Sequence, residues 1–120
     1  MAQPDFKPAG SATLADFERI DMRVGRVVAA EPFPAARKPA YRLTIDFGRH
    51  GERRSSAQLP ATYPQPDELV GRLVIAVVNF GTRNIAGFES QVLVLGALPE
   101  DGSIRLLGVD ADAQPGDRIG

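Results

Sequence analysis

The alternation of apolar and polar residues along the chain predicts a protein built mainly from short β-strands. Residues 41–47 alternate polar and apolar side chains over their whole length, which is typical of a strand with one buried face. Residues 73–78 are almost entirely apolar and indicate a strand buried on both faces. Further strands are predicted at 23–30, 53–59, 91–95, 104–107 and 117–119.

The same pattern predicts one short helix before the strands. Thr13 and Asp16 stand in the Thr-x-x-Asp arrangement of a capping box, which predicts a helix near 14–19. Residues 48–51 indicate a hairpin turn, and Gly25 indicates a bulge that lets the first strand curl. Five or more strands after one helix favour an all-β fold, a five-stranded barrel of the oligonucleotide/oligosaccharide-binding (OB) type.

Length and composition narrow the class of protein. The 120 residues fit a single domain, 1–120, in which residues 1–12 and 98–120 are terminal extensions to the barrel. The chain has no cysteine, which excludes disulfide scaffolds, zinc knuckles and thiol nucleophiles. No apolar run approaches the roughly 20 residues of a membrane span, and no signal peptide is recognisable. We therefore expect a cytoplasmic protein without membrane insertion.

The net charge of −1 hides an uneven distribution of charge. Residues 19–54 contain nine basic and four acidic residues and carry +5, whereas residues 1–18 carry −2 and residues 67–120 carry −4. Twelve of the fourteen basic residues are arginine, whose planar fork matches phosphate and stacks on bases. A solvated face with ordinary ion pairs would have the same composition, so charge alone does not identify a partner.

Catalytic chemistry is difficult to assemble from these residues. His50 is the only histidine and lies in the polar turn, and Ser55 and Ser56 have no evident base to activate them. No glycine-rich phosphate loop, nucleophile elbow or metal-ligand spacing is present. We therefore expect no enzymatic activity, no cofactor and no metal.

Three polar and basic segments instead favour a binding surface. They are the strand at 53–59, the proline-flanked loop at 34–39 and the loop at 79–84. Hydroxyl and amide groups beside arginines can bind phosphates and 2′-hydroxyls without requiring a base sequence. On a small barrel these segments could converge on one face. The alternative is that Phe80 and Phe88 fill the core and that the serines belong to an ordinary sheet surface.

Six segments follow one another in a characteristic order: Asp16–Val27, Phe33–Tyr41, Ile45–Gly48, Ser55–Leu59, Val74–Phe80 and Arg83–Gly96. Their order and spacing, from about residue 14 to the C-terminus, resemble the CsaA-type tRNA-binding domain family. The resemblance implies an OB-fold barrel that forms a homodimer and binds tRNA by backbone and shape. It also implies an alternative function, a protein-export chaperone that binds extended unfolded or preprotein peptides in an apolar pocket.

Two positions depart from the family pattern. Gly81 and Thr82 stand where members often carry two prolines, so we expect this loop to be more mobile than in those members. The hairpin at 48–54 is more basic than the resemblance leads us to expect, which would strengthen contact with phosphate.

The candidate residues follow from these segments together with the resemblance. The expected phosphate contacts are Arg37, Lys38, Arg53, Arg54 and Arg83. The expected hydrogen-bonding residues are Ser55, Ser56, Gln58, Asn79 and Ser90. Under the chaperone alternative the peptide pocket uses Phe33, Phe80, Ile85 and Phe88. The expected dimer contacts are Phe6, Leu14, Phe17 and residues 104–107, unless these side chains only cap the ends of the barrel.

Overall fold

The computed structural model describes residues 10–120. Within this range it contains one α-helix, α1 at Leu14–Glu18, and short 3₁₀ turns at Gly48–His50 and Pro66–Leu69. The strands are β1 Met22–Pro32, β2 Tyr41–Asp46, β3 Glu52–Ala57, β4 Leu73–Val77, β5 Arg83–Ile85, β6 Phe88–Ser90, β7 Leu93–Val94, β8 Gly96–Ala97 and β9 Arg105–Leu106.

Five of these strands form one antiparallel sheet in the order β3-β2-β1-β4-β7, which is nearly closed into a barrel. Two further pairs, β5–β6 and β8–β9, are separate two-stranded hairpins. The predicted all-β, OB-like barrel with a short N-terminal helix is confirmed. None of the helices in residues 10–120 is long and apolar enough to cross a membrane.

Helix α1 begins where the capping box predicts. The Asp16 backbone N–H donates to Thr13 Oγ1 at 3.1 Å, and the Thr13 backbone N–H donates to Asp16 Oδ2 at 2.9 Å. Each side chain thus satisfies a donor that the first turn would leave without a partner. Leu14 and Phe17 on this helix remain 73% and 40% exposed.

The core follows the hydrophobic pattern of β2 and β4. In β2 buried and half-buried residues alternate, and Leu43 and Ile45 are fully buried. In β4 every residue from Val74 to Val77 is buried, as expected for a strand covered on both faces. The strands predicted at 91–95 and 104–107 are shortened to the two residues of β7 and of β9.

The predicted position of the bulge in β1 is wrong. The register of β1 against β2 shifts between Val27 and Ala29, whereas Gly25 pairs regularly with Val74. Gly25 serves a different purpose, because a Cβ at this position would overlap Ile45 and lie 2.8 Å from Cε1 of Phe47. The missing side chain lets β1 pass closely over the barrel interior.

The C-terminal segment pairs with the beginning of β1. Backbone N–H groups of Val24, Gly116 and Ile119 donate to carbonyls of Asp117, Val24 and Met22 at 2.8–2.9 Å. The strand predicted at 117–119 is therefore present only as an isolated bridge between Arg23 and Arg118. This contact fastens the chain end to the first strand of the barrel.

The barrel closes between β3 and the segment around Gln91 through a side chain as well as the backbone. The Gln91 N–H donates to the Arg54 carbonyl at 2.7 Å, and Gln91 Oε1 accepts from the Arg54 N–H at 2.8 Å. Both backbone groups of Arg54 are thereby satisfied at an edge where regular strand pairing is absent.

Two serines complete this closure. The Ser55 hydroxyl donates to the Val92 carbonyl at 3.0 Å, and the Ser90 hydroxyl accepts from the Ser56 N–H at 3.0 Å. Ser55 is 1% exposed and Ser90 is 3% exposed. Loss of the Ser55 hydroxyl would remove this partner from the buried Val92 carbonyl, and loss of the Ser90 hydroxyl would remove it from the half-buried Ser56 N–H.

We predict that Gly25→Ala destabilises the fold by about 1–3 kcal/mol, because the added methyl group overpacks the interior. Urea unfolding measures the change. Gly108→Ala is the matched control, because a Cβ at Gly108 meets nothing within 4 Å, and it should change the stability by less than about 0.5 kcal/mol. Equal effects of the two substitutions would contradict this account of Gly25.

We predict that Ser55→Ala lowers the free energy of unfolding by about 1–3 kcal/mol, because it leaves the buried Val92 carbonyl unsatisfied. The neighbouring Ser56→Ala keeps its backbone bond to Ser90 and should cost less than about 0.5 kcal/mol. The same urea titration compares the two variants. If the Ser55→Ala protein were as stable as the wild type, the hydrogen bond from Ser55 to the Val92 carbonyl would not contribute to stability.

Candidate nucleic-acid interface

The structure brings five of the ten expected tRNA-binding residues to one cleft of about 730 Å³. Arg37 and Lys38 come from the loop between β1 and β2, Arg83 from β5, Ser56 from β3, and Gln58 from the segment after β3. We call the cleft formed by these five residues the basic cleft. No acidic residue lies among the described residues that line it, so its three cations act together on one volume.

The loop that carries Arg37 and Lys38 is held in place by a buried apolar cluster at its ends. Phe33, Ala40 and Phe88 form a small buried cluster. The Phe33 N–H donates to the Ala40 carbonyl at 3.1 Å and joins the two ends of the loop. The apolar cluster therefore holds the loop while its two cations remain exposed to solvent.

The β5–β6 hairpin forms the opposite wall of the basic cleft. Its turn consists of Ala86 and Gly87, which have φ angles of +49° and +85°. Positive φ angles at both central residues are typical of the two-residue type I′ hairpin turn. Asn84 Oδ1 accepts from the Gly87 N–H at 3.0 Å and stabilises this turn. The hairpin thereby holds Arg83 at the cleft.

A second cleft of about 610 Å³ shares Ala35 and Ala86 with the basic cleft. We call it the aromatic cleft and define it by Phe33, Phe88, Arg42 and Arg54. The rings of Phe33 and Phe88 are 5.4 Å apart and inclined at 60°. Each ring makes a cation–π contact with an arginine. The Arg42 Cζ lies 5.4 Å from the Phe33 centroid, and the Arg54 Cζ lies 4.5 Å from the Phe88 centroid.

Three of the expected hydrogen-bonding residues are committed to the protein itself. Ser55 and Ser90 are the buried serines that close the barrel. Asn79 Oδ1 accepts from the Asp21 N–H at 2.9 Å, and its Nδ2 donates to the Arg19 carbonyl at 2.8 Å, which ties the segment after β4 to the connection between α1 and β1. These side chains hold the fold and do not line either cleft.

Arg53 lies apart from the basic cleft, although it is adjacent to Arg54 in the sequence. It borders a smaller depression of about 220 Å³ together with Arg23 and His50. Arg23 is paired there with Asp21 at 2.7 Å. His50 is exposed in its turn, and across residues 10–120 no group of three or more acidic or histidine side chains is placed to hold a metal ion.

The residues of the alternative peptide pocket are only partly brought together. Ile85 packs against the buried cluster that contains Phe33 and Phe88, whereas Phe80 is 59% exposed and lies at another depression. Gly81, at one of the two departures from the family pattern, has a φ of +81°. A proline ring holds φ near −65°, so proline at this position would require a different loop.

The expected dimer residues have different environments. Leu14 and Phe17 are exposed and border a shallow groove with Ile119. Within 104–107, Ile104 and Leu106 pack on the core and Leu107 is 40% exposed. Phe6 lies outside the described residues. Leu98, 77% exposed before the β8–β9 turn, was not identified from the sequence.

Sequence reasoning also missed Arg42 and Gln91. Arg42 occupies a polar position of the alternating strand β2, directly opposite Ser56 of β3. That alternation was the available signal, because it places Arg42 on the same side of the sheet as Ser56. Nothing in the local sequence indicates that Gln91 closes the barrel, because its partner Arg54 is distant along the chain.

Comparison with known proteins identifies the family of this chain. Residues 22–118 match the family described as "Putative tRNA binding domain". The crystal structure of the chaperone CsaA from Bacillus anthracis is 45% identical and covers 92% of this chain and 100% of its own, with a TM-score of 0.87. The CsaA chaperone protein from Picrophilus torridus is 47% identical, covers 92% and 100% of the two chains, and has a TM-score of 0.83.

A methionine–tRNA ligase from Neisseria meningitidis is 44% identical over 115 residues. This match covers 95% of the present chain but only 16% of the ligase, so the chain spans a small part of that enzyme's length. The resemblance found in the sequence is confirmed by the family match and by the solved structures. The chain belongs to the tRNA-binding domain family, and two of its neighbours in structure are CsaA proteins.

Proposed function

We propose that this chain binds tRNA by placing backbone phosphates in the basic cleft. The observation that carries the proposal is the convergence of Arg37 and Lys38 from one loop and Arg83 from the β5–β6 hairpin, without an acidic residue among the lining residues. Phosphate contacts position a protein on RNA without reading its sequence. Binding by this cleft is therefore expected to depend on the shape and charge of tRNA rather than on an anticodon.

Ser56 and Gln58 extend the basic cleft with uncharged groups. A hydroxyl both donates and accepts a hydrogen bond, and an amide offers both kinds of group, which suits a ribose 2′-hydroxyl. The cleft thus combines groups for phosphate with groups for ribose. The weak overall charge of −1 is compatible with this function because the cations are concentrated locally.

We propose that the chain acts by binding alone and in the cytoplasm, where tRNA is found. The tRNA-binding domain and the CsaA-like fold are non-catalytic domains. The methionine–tRNA ligases that contain a similar segment are enzymes, but the chain corresponds to only 16% of their length. The solitary exposed His50 agrees with a protein that needs no catalytic base.

We also propose that two chains associate into a homodimer through the apolar surface around Leu14 and Phe17. Large apolar side chains on a short helix are difficult to reconcile with permanent contact with water when several lie together. A dimer would present the basic cleft twice, and two linked sites raise affinity for a tRNA that spans them.

The alternative function is a chaperone that binds extended unfolded or preprotein peptides. The CsaA neighbours are described as chaperones, which favours this alternative, and so does the aromatic cleft beside the basic one. The buried state of Phe33 and Phe88, 6% and 7% exposed, speaks against a deep apolar pocket, because the two rings already cover each other. We therefore rank tRNA binding first.

We predict that tRNA binding weakens steeply with salt. Three cations in each of two protomers would neutralise about six phosphates. A plot of the logarithm of the binding constant against the logarithm of the salt concentration should then have a slope between about −4 and −6. Arg37→Ala removes one phosphate contact per protomer and should make the slope less steep by about 1.5. It should weaken the binding of all tRNAs to the same extent. Filter binding over a salt series measures both effects.

Arg49→Ala is the charge-matched control for this experiment, because Arg49 lies in the turn after β2 and lines neither cleft. It should keep the wild-type slope. A flat salt response of the wild-type protein, or equal slopes for both variants, would contradict phosphate binding in the basic cleft.

We predict that sedimentation equilibrium of the full chain returns twice the mass of 12.9 kDa. Phe17→Glu should shift the mass to that of one chain, because a carboxylate buried in the interface would lack a partner. Val70→Glu, at an apolar residue 49% exposed elsewhere on the barrel, should leave the dimer intact. A wild-type protein that sediments as a single chain would contradict the dimer.

A further inference from the structure

Arg54 stands apart from the cations of the basic cleft, although the sequence groups it with them as a phosphate contact. Its guanidinium lies over the ring of Phe88, with 4.5 Å between Cζ and the ring centroid. No carboxylate of residues 10–120 lies within 4.0 Å of it, and the residue is exposed. The guanidinium therefore lies over an aromatic ring and belongs to an exposed residue that makes no ion pair within residues 10–120.

The position of Arg54 is held unusually firmly for an exposed residue. Gln91 binds both the N–H and the carbonyl of Arg54, at 2.8 Å and 2.7 Å. Phe88 beneath the guanidinium is itself buried against Phe33. A side chain whose backbone and supporting ring are both fixed loses little conformational freedom when it binds a ligand.

Arg42, the other arginine of the aromatic cleft, does not offer an equivalent surface. Its guanidinium is farther from its ring, 5.4 Å from the Phe33 centroid. It also lies 3.6 Å from the carboxylate of Glu31. This ion pair partly neutralises the charge of Arg42, whereas Arg54 has no carboxylate of residues 10–120 within 4.0 Å, although Glu89 also lines the aromatic cleft.

We propose that the open face of the Arg54 guanidinium is a stacking platform for one unpaired base of the bound RNA. A planar guanidinium stacks on nucleobases, and splayed single-stranded bases are commonly held on such planes and on aromatic rings. The aromatic cleft adjoins the basic cleft along Ala35 and Ala86. An RNA strand with phosphates in the basic cleft therefore has a neighbouring site for a base.

The inference rests on the proposed function and makes it more specific, because it selects unpaired nucleotides of the tRNA over its duplex arms. It also assigns different roles to two neighbouring clefts. The basic cleft binds phosphates, so its contribution to affinity depends on salt. Arg54 stacks on a nucleobase, so its contribution requires that an unpaired base is present. Stacking is tolerant of sequence because every base has a π-face, so no particular base is required.

The test uses the full chain and two single-stranded RNA probes of about eight nucleotides, within the site size of an OB barrel. One is an oligoadenylate, and the other has the same backbone without bases. Arg54→Lys keeps the positive charge and removes the plane. The substitution should weaken binding of the oligoadenylate by about fivefold or more and leave binding of the baseless probe unchanged. The dependence of binding on salt should stay the same for both probes.

Arg49→Lys is the control for the substitution itself and should leave both probes unchanged. A 2-aminopurine placed in the oligoadenylate adds a direct readout, because its fluorescence rises when the base leaves the stack with the neighbouring adenines. The rise should appear with the wild-type protein and be smaller in Arg54→Lys. Circular dichroism of the variant at the binding temperature establishes that it is folded.

The outcomes separate the two proposals. If the wild type binds tRNA but binds both probes equally, and Arg54→Lys changes nothing, the stacking platform is wrong and the proposed function stands. If Arg54→Lys weakens both probes equally, Arg54 is a phosphate contact and the platform is again wrong. If the wild type binds neither tRNA nor either probe but binds an extended peptide, the proposed function fails first.

Discussion

Closure of the barrel at β3 is the constraint on which the remaining structure depends. Regular strand pairing stops at this edge, and a buried backbone group without a partner would cost about 1–3 kcal/mol. Gln91, Ser55 and Ser90 remove that cost with side-chain hydrogen bonds to the facing backbone. Because these bonds join β3 to the β5–β6 hairpin region, they also determine the distance between the elements that bear the candidate RNA-binding residues.

The two clefts show how apolar packing supports a polar surface. Phe33, Ala40 and Phe88 are buried beneath the loops, and the cations lie above them. Ala36 of the loop and Ile85 of the β5–β6 hairpin pack against this same cluster, which brings Arg37 and Arg83 to one cleft. A chain with almost no net charge can in this way present a locally basic surface, because its acidic residues lie elsewhere.

Local features of the fold were predictable because their causes lie within a few residues. The capping box of Thr13 and Asp16, the alternation in β2 and the apolar run of β4 each depend on near neighbours along the chain. The role of Gly25 was not predictable in this way. A glycine in a strand indicates either a bulge or a close approach, and the choice was made by Ile45 and Phe47 across the barrel.

The sequence by itself determined the all-β barrel, its short helix and the candidate polar segments, since periodicity and spacing are properties of the chain. Only the tertiary structure decided which residues of those segments meet. Ser55 and Ser56 are neighbours, yet one is buried and closes the barrel and the other lines the basic cleft. Arg53 and Arg54 are also neighbours, yet Arg53 borders the smaller depression near His50 and Arg54 lines the aromatic cleft. The physical reason is that consecutive side chains of a strand point to opposite faces, and only the packing of distant strands determines what each face becomes.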